Sequence, residues 1–293
     1  MNTDGLIVVD KPAGMTSHDV VARIRRLAKT RRVGHGGTLD PMATGVLVIG
    51  VNRATRLLTY VIGSRKSYLA TIRLGQSTVT DDAEGDVTAT VSAADVTEEA
   101  VRAGLAVQVG EIDQVPSAVS AIKVNGQRAY KRVRDGEEVE LAARRVTIHS
   151  LDVLDVRHSG DVVDVDVDVT CSSGTYIRAI ARDLGRGLGV GGHLTALRRT
   201  AVGAMTLAEA ATLEQLEERA PDVVSLSLAE AAGRAFPRRD ATVDEARVLS
   251  HGGPLEPVGI EGPYAVFDPQ GEVLAVVSER GGKARAEIVL APA

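Results

Sequence analysis

Asp40 is the carboxylate in this chain that is best placed to do chemistry, and it lies in the segment 34–47, GHGGTLDPMATGVL. Three glycines precede it and Pro41 follows it, so the backbone conformation is restricted on both sides. The apolar run 46–51 comes directly afterwards and would anchor the segment to a buried strand. A carboxylate on such a supported loop can react, but Asp-Pro is also a common turn opener. Spacing alone leaves both interpretations open.

The pattern of apolar residues predicts the elements that must position this loop. We expect strands at 5–10, 66–75, 146–156 and 162–171, and helices at 16–30, 54–61, 176–185 and 212–220, with another beginning at Thr97. Thr16 and Asp19 have the spacing of a capping box. Residues 76–90 are polar and acidic and are expected to form a loop. The elements therefore predict a mixed α/β chain.

Two stretches differ from the rest of the chain. Residues 114–145 are polar and basic, with turn signals at Asn125-Gly126 and Asp135-Gly136, and are expected to form an excursion of turns and hairpins. Residues from about 233 onward are expected to form a short helix, a hairpin and a further strand. These patterns suggest a large domain followed by a small β-rich unit.

The 293 residues are enough for one large domain and a small one, and 44% of them are hydrophobic. The single cysteine, Cys171, excludes an internal disulfide framework and suits a reducing compartment. We see neither a signal peptide nor an apolar run of about 18 residues, so we expect a soluble cytoplasmic protein without membrane association.

The net charge of −5 argues at first against a nucleic-acid partner, but the charges are unevenly distributed. Residues 1–75 contain twelve Lys and Arg against four Asp and Glu, whereas residues 81–113 contain nine acids and one arginine. Binding to a polyanion depends on the local basic patch, because that patch displaces the counterions. We therefore keep a nucleic-acid partner open and expect the acidic segment to face away from it.

Four further segments, together with the Asp40 loop, carry a resemblance to a known family. They are GLIVVDKPAGMTS at 5–17, KSY at 66–68, SSGTYIR at 172–178 and HLTALRRT at 193–200. In this order they resemble the motifs of the bacterial tRNA pseudouridine synthases of the TruB family. One departure lies in the excursion, where Ser117 and Val119 stand in place of the family's usual proline and tyrosine. It concerns RNA contacts and leaves the reaction unaffected.

The resemblance implies a fold and a domain organisation. We expect a pseudouridine synthase fold with a large, mostly antiparallel sheet and a central active-site cleft. The catalytic domain would span residues 1–232, with the RNA-contacting excursion at about 114–145. Residues 233–293 would form a PUA-like RNA-binding domain.

The resemblance also implies the reaction and its principal residues. Asp40 would be the catalytic carboxylate acting on a flipped-out uridine at tRNA position 55, in the T loop. It could attack C1′ of the ribose or C6 of the uracil, or abstract a sugar proton to give a glycal; these routes stay open. Arg178 would pair with Asp40 through two hydrogen bonds and keep it ionised. The alternative for Arg178 is a surface arginine in a first helical turn.

The remaining site residues would bind the substrate or handle a proton. Tyr68 would stack on the flipped uracil with its hydroxyl near C5, while Leu197 and Tyr176 would line the pocket. His35 would fill the space that the extruded bases leave in the RNA. Lys11 could contact a phosphate or a backbone carbonyl, and its place in the opening motif favours support of the loop. Except for His35, each of these residues could otherwise be a structural or core residue.

The reaction involves no redox step, so we expect no metal and no organic cofactor. The string 187–192 fits GxGxxG, but it follows a predicted helix, so the dinucleotide-binding context is absent. The expected partner is the tRNA T stem-loop, bound by a monomer without guide RNA. The alternatives are a guide-RNA-dependent enzyme of the same superfamily, an RNA-folding chaperone and an inactive RNA-binding paralogue.

Overall fold

The computed structural model describes residues 4–117, 123–124, 127–128 and 141–291. The chain folds into two compact units. The terminal unit comprises the residues up to Pro41, Gly45–Gly63 and the residues from Val202 onward. The middle unit comprises Met42–Thr44 and Ser64–Ala201. Both ends of the chain therefore belong to one unit, and each unit is described by itself.

The described helices and strands are numbered in chain order. The α-helices are α1 (Ser17–Leu27), α2 (Leu58–Gly63), α3 (Glu98–Ala106), α4 (Ile177–Gly187), α5 (Leu213–Arg219), α6 (Leu228–Ala235) and α7 (Val243–Ser250), and a 3-10 helix (Asn52–Leu57) precedes α2. The strands are β1 (Gly5–Lys11), β2 (Val33–His35), β3 (Thr44–Val51), β4 (Lys66–Leu74), β5 (Gln76–Thr78), β6 (Val87–Thr90), β7 (Gly110–Gln114), β8 (Lys123–Val124), β9 (Gln127–Arg128), β10 (Arg144–Ser159), β11 (Val162–Cys171), β12 (Gly192–Val202), β13 (Met205–Thr206), β14 (Leu226–Ser227), β15 (Arg238–Asp240), β16 (Tyr264–Phe267), β17 (Val273–Arg280) and β18 (Lys283–Val289). None of the described helices is long and apolar enough to cross a lipid bilayer.

In the terminal unit, β1 pairs with β3 along its whole length, and the two strands are antiparallel. The register runs from Gly5 opposite Val51 to Lys11 opposite Gly45. β14 pairs with the other edge of β1, and β2 also pairs with β3. This register brings Lys11, at the end of β1, next to the end of the loop that contains Asp40.

The C-terminal part of the terminal unit is a small β-rich domain. Its four-stranded sheet has the order β15-β16-β17-β18, and the expected hairpin of β16 and β17 is confirmed. One hydrophobic cluster contains Leu6 and Val48 from the N-terminal strands together with Phe267 and Val276 from this sheet. The N-terminal strands and the C-terminal sheet therefore share a core. The predicted domain boundary at residue 232 stays a prediction.

The middle unit contains five adjacent strands in the order β12-β4-β11-β10-β7. The pairs β4–β11, β11–β10 and β10–β7 are antiparallel. The alternating valines of β11 are fully buried, and Asp164 on its opposite face forms an ion pair with Arg73 of β4. The predicted alternation of a buried and a solvated face is thus confirmed, as is the mixed α/β, mostly antiparallel fold class with its small β-rich C-terminal domain.

The middle unit has two irregular stretches. The loop predicted over 76–90 is wrong in part, because β5 and β6 form an antiparallel pair there, and backbone pairing outweighs the polar composition. The expected excursion begins and ends where Gln114 of β7 pairs with Arg144 of β10. Inside it β8 pairs with β9, and the other predicted features, Val119 included, lie outside the described residues.

Candidate active site

The loop of Asp40 is anchored on both sides of the carboxylate. On one side, the amide of Leu39 donates to Oγ of Ser17 at 2.9 Å, and that hydroxyl donates back to the Leu39 carbonyl at 3.2 Å. On the other side, the amide of Gly14 donates to the carbonyl of Pro41 at 2.8 Å. Ser17 and Leu39 are buried, while Asp40 between these anchors is half-buried. The expected rigid support of this loop is confirmed.

Lys11 is fully buried and holds the same loop through its ammonium group. Nζ donates to the carbonyls of Pro12 at 2.9 Å, Met15 at 2.6 Å and Pro41 at 3.1 Å. An ammonium group carries three donors, and three backbone carbonyls accept from this one. Of the two alternatives for Lys11, the backbone carbonyl is the one that the structure shows. Lys11 is thus a buried clamp on the loop, and its place among the substrate-binding residues stays a prediction.

The glycines before Asp40 allow the loop to pass close to α2. A Cβ on Gly36 would lie 2.7 Å from Cγ1 of Val61, which is closer than real Cβ contacts. The amide of Gly36 donates to the carbonyl of Val48 at 2.7 Å, so the backbone has little room to move away. Gly37 has a φ of 94°, a conformation that side chains disfavour. Both positions therefore require glycine.

His35 ends β2, opposite Ile49 of β3. Its ring packs edge-on against the ring of His18 in α1, with the ring centroids 5.4 Å apart. The imidazole is thus held by α1 and by the sheet at the start of the Asp40 loop. The role of His35 in positioning the RNA stays a prediction.

In the middle unit, Tyr68 and Leu197 lie on the neighbouring strands β4 and β12, and each is 7% exposed. Lys66 precedes Tyr68 by two positions and Arg199 follows Leu197 by two, so each shares the face of its neighbour. Both cations are buried, and they are close enough to interact electrostatically. The sequence analysis missed these two residues, although the two-residue period of a strand could have found them.

Burial lowers the pKa of Lys66 to about 8, and the positive charge of Arg199 adds to this effect. Nζ of Lys66 donates to the carbonyl of Ser64 at 3.0 Å. Cys171, its register partner on β11, is also buried, and burial raises the pKa of the thiol to about 11. At neutral pH this face of the sheet therefore carries a buried ammonium group beside a neutral thiol.

Arg178 lies in the first turn of α4 and is 5% exposed, so the alternative of a surface arginine is wrong. Its Nη1 donates to the carbonyl of Thr80 at 2.9 Å and lies 3.4 Å from Oδ2 of Asp82. The carboxylate of Asp82 is 3% exposed. Asp82 is therefore an acidic partner of Arg178 within the middle unit. The expected pair of Arg178 with Asp40 stays a prediction.

Asp82 is held by the turn between β5 and β6. The hydroxyl of Thr80 donates to Oδ1 of Asp82 at 2.5 Å, and the amide of Glu84 donates to the same oxygen at 3.0 Å. The hydroxyl of Thr78 donates to the backbone carbonyl of Asp82 at 2.8 Å. The sequence analysis missed Asp82 because it treated the acidic segment as a solvated loop. The sequence signal for this turn is the pair of threonines at alternate positions, Thr78 and Thr80, followed by Asp82 and Gly85.

The neighbouring acid, Asp81, pairs with the next arginine on the same face of α4. Nη1 of Arg182 lies 3.5 Å from Oδ2 of Asp81. Burial raises the pKa of Asp81, whereas the hydroxyl of Ser117 and the guanidinium groups of Arg182 and Arg178 oppose that rise. Because Arg178 and Arg182 are four residues apart, the two adjacent acids meet one face of the helix.

Tyr176 is the N-cap residue directly before α4, and its side chain makes no capping hydrogen bond. The side-chain amide of Gln114 pairs with its backbone instead. Oε1 of Gln114 accepts from the amide of Tyr176 at 2.8 Å, and Nε2 donates to the carbonyl of Tyr176 at 3.1 Å. Gln114 is 2% exposed. The sequence analysis did not identify this residue, and no local pattern indicates it.

The glycine string 187–192 connects the end of α4 to the start of β12. A dinucleotide-binding motif requires the opposite order, a strand followed by a helix whose N-terminus meets the phosphates. The expectation that this string follows a helix is confirmed.

Three family descriptions match consecutive parts of the chain. They are "TruB family pseudouridylate synthase (N terminal domain)" over 25–177, "tRNA pseudouridylate synthase B C-terminal domain" over 178–223 and "tRNA Pseudouridine synthase II, C terminal" over 236–291. The chain is similar to two curated proteins called tRNA pseudouridine synthase B. The protein of Arthrobacter sp. (strain FB24) is 59% identical over 98% of this chain and 97% of its own length. The protein of Mycobacterium ulcerans (strain Agy99) is 56% identical over 99% of this chain and 95% of its own length.

Solved structures show a similar fold. The crystal structure of a Cbf5-Nop10-Gar1 complex contains a chain that is 26% identical, with a TM-score of 0.74 over 98% of this chain and 85% of that one. The crystal structure of the archaeal box H/ACA sRNP Nop10-Cbf5 complex contains a chain that is 25% identical, with a TM-score of 0.72 over 99% of this chain and 87% of that one. These proteins are crystallised in complexes with other proteins.

Proposed function

Because the chain belongs to the TruB family of pseudouridylate synthases, we propose that it isomerises the uridine at tRNA position 55, in the T loop, to pseudouridine. Membership of this family makes the chain an isomerase. The observation that carries the proposal is the support of Asp40, because Ser17, Gly14 and Lys11 fix the backbone on both sides of that carboxylate. A reactive group held in this way needs little reorganisation to meet its substrate.

The reaction breaks the bond between N1 of the uracil and C1′ of the ribose, turns the base and joins C5 to C1′. A proton leaves C5 in the last stage and N1 ends with a proton in place of its bond to C1′, so no atoms or electrons are gained or lost overall. Asp40 is the group that activates the nucleotide, by attack at C1′, by attack at C6 or by removal of a sugar proton. The base must leave its stack, which a loop nucleotide does at lower cost than one in a duplex.

Arg178 pairs with Asp40 in the substrate complex and keeps that carboxylate ionised. A guanidinium carries five donors in a rigid fork, so one group can hold more than one carboxylate. The burial of Arg178 and its contacts with Asp82 and the Thr80 carbonyl support a fixed orientation. This pairing would be stronger than one at the surface, because water screens it less.

The uracil binds against the buried face that carries Tyr68 and Leu197. The ring of Tyr68 stacks on the base, which contributes about 1–3 kcal/mol. Leu197 forms an apolar wall, and Tyr176 lies at the start of the helix that carries Arg178. His35 occupies the space that the extruded nucleotide leaves in the T loop.

The tRNA is gripped through its backbone by basic side chains. Arg25 and Arg26 are exposed on α1, opposite the buried Val20 and Ile24, and the exposed Lys29 lies just beyond the end of this helix. RNA loops are recognised by their shape and by splayed bases, and the phosphates supply much of the affinity. The excursion and the C-terminal domain add further contacts. The active form is a cytoplasmic monomer that needs no guide RNA.

The test is conversion of an unmodified T-arm hairpin by the purified chain in the presence of EDTA. Pseudouridine is mapped by a chemical that marks it, with wild type, Asp40→Asn and the exposed control Asp95→Asn compared side by side. We expect product at the T-loop uridine with wild type and Asp95→Asn and none with Asp40→Asn. Product from Asp40→Asn would contradict the catalytic role of this residue.

The same assay distinguishes the rival functions. The similarity to chains crystallised within H/ACA complexes favours a guide-dependent enzyme as the second candidate. That enzyme would leave the bare hairpin unconverted, and a chaperone would bind the hairpin tightly and refold it without forming product. Either result would overturn the proposed standalone activity.

A further inference from the structure

The first residues of the excursion, 114–116, contact α4 on both sides of Arg178 along the helix. Gln114 binds the backbone of Tyr176, two residues before Arg178. Nη2 of Arg182, four residues after Arg178, donates to the carbonyl of Val115 at 2.7 Å, and its Nη1 donates to that of Pro116 at 3.4 Å. We call residues 114–116 the excursion root. The root therefore brackets the turn of α4 that carries the buried arginine.

The hydrogen bonds of Gln114 determine where this helix begins. The first amides of a helix have no partner within it, and here Tyr176 provides no side-chain cap. The buried amide of Gln114 supplies an acceptor for one backbone group of Tyr176 and a donor for the other. The carbonyl of the half-buried Tyr176 also accepts from the amide of Ala179 at 3.1 Å, so loss of Gln114 would be felt mainly at the Tyr176 amide, where a lost hydrogen bond typically costs about 1–3 kcal/mol. The first turn of α4 would then be free to shift.

A small shift there would reach Arg178. Its Nη1 is positioned to within hydrogen-bonding distance of the Thr80 carbonyl and close to Asp82. Displacement of a catalytic group by about 1 Å can lower a rate by roughly a hundredfold. The position of Arg178 is therefore sensitive to the residue that holds Tyr176.

We propose that Gln114 is a positioning residue for the reaction: its side-chain amide fixes the backbone of Tyr176 and thereby the position of Arg178 in the active site. The contact between Arg182 and the root holds the following turn in the same way. This inference rests on the proposed function, because it assigns Gln114 to the reaction that Arg178 serves. Gln114 itself touches no reacting atom.

Gln108 offers a matched control in the same unit. Its Nε2 donates to the carbonyl of Ile180, also in α4, at 3.3 Å, and the residue is 9% exposed. Removal of either glutamine takes a buried amide away from this helix. Of these two glutamines, Gln114 is the one that contacts Tyr176, directly before the turn of Arg178. A purely structural role would make the two variants behave alike.

The experiment compares Gln114→Met with Gln108→Met, since methionine conserves the volume and removes the side-chain amide, with two hydrogen bonds at Gln114 and one at Gln108. Single-turnover rates and KM are measured on the T-arm hairpin at a temperature where circular dichroism shows both variants folded. We expect Gln114→Met to lower kcat by about tenfold or more with KM within about twofold, as for a lost positioning contact. Gln108→Met should keep kcat within about twofold of wild type. An unchanged kcat, or an equal loss in both variants, would overturn the proposal.

A second measurement does not depend on activity. Amide hydrogen exchange at residues 176–179 should be faster in Gln114→Met than in wild type, because the Tyr176 amide has lost its acceptor. If Gln114→Met fails to fold, Gln114→Asn keeps the amide but is one methylene too short to reach both backbone groups. If wild type makes no pseudouridine, the proposed function fails, while faster exchange would still show that Gln114 fixes Tyr176. Unchanged exchange in a folded variant would contradict the inference by itself.

Discussion

Arg178 and Asp82 form a buried ion pair, with 3.4 Å between Nη1 and Oδ2 and side chains that are 5% and 3% exposed. They are 96 positions apart in the chain. Asp82 belongs to a turn between two short strands and Arg178 to the first turn of a helix. The arginine that we propose to serve Asp40 thus has an acid within its own unit that holds it in place. This pair provides the most direct test of how the site is built.

We expect Asp82→Ala to reduce turnover strongly, because it leaves the guanidinium of Arg178 buried without this acid. Removing one partner of a buried ion pair typically costs about 3–5 kcal/mol, and misplacement of the arginine would lower kcat by on the order of 100-fold. The measurement is single-turnover kinetics on the T-arm hairpin together with urea unfolding. Asp86→Ala, at an exposed position of the same segment, serves as the control. Full activity of folded Asp82→Ala would refute this role.

Lys11→Met should destabilise the chain and impair the reaction, because three carbonyls around the Asp40 loop lose their donor. Hydrogen bonds to a charged group contribute about 1.5–3 kcal/mol each, partly offset by the cost of burying the ammonium. We expect a loss of at least about 2 kcal/mol in the free energy of unfolding. Lys11→Arg should not restore it, since a planar guanidinium cannot reproduce this geometry. The exposed Lys29→Met is the control for stability alone, and equal free energies of unfolding of the two methionine variants would show that the clamp is unimportant.

The pKa of Lys66 predicts how stability depends on pH. In the folded chain this pKa is about 8, and in an unfolded chain it would be about 10.4. Between these values the unfolded chain holds a proton that the folded chain has released, so the free energy of unfolding rises with pH across that window. Lys66→Met lacks this contribution. The free energy of unfolding of wild type minus that of Lys66→Met, measured by urea unfolding, should therefore increase from about pH 8 to about pH 10. A flat or falling difference would contradict this prediction.

Removal of the C-terminal sheet should unfold the terminal unit as well. Leu6 and Val48 share a hydrophobic cluster with Phe267 and Val276, and Arg53 donates to the carbonyl of Leu290 at 2.9 Å. A chain truncated after residue 235 would expose this apolar surface to water, and each large side chain contributes about 1.5–3 kcal/mol when buried. We expect poor solubility and no cooperative unfolding transition by circular dichroism. A truncated chain that unfolds cooperatively would show that the domain is dispensable for folding.

Local signals in the sequence were sufficient for the parts of the site that depend on neighbouring residues. The capping box of Thr16 and Asp19 forms as expected, with the Thr16 amide donating to Asp19 at 2.9 Å. The glycines and the proline around Asp40 indicated a supported loop, and the supporting contacts are present. Strand alternation likewise predicted the buried face of β11. Each of these features is determined by backbone conformation and by residues within a few positions of one another.

Tertiary structure alone decided which side chains hold those residues in place. Asp82, Gln114 and Lys66 lie in segments whose composition indicates a loop, the start of the excursion and an ordinary strand. Their roles arise because Asp82 meets Arg178 across 96 positions and Gln114 meets Tyr176 across 62. Burial then changes their energetics, since a charge or an amide removed from water must find its partner within the protein. No local pattern encodes such a partner, because strand pairing and helix packing bring the two groups together only when the whole unit folds.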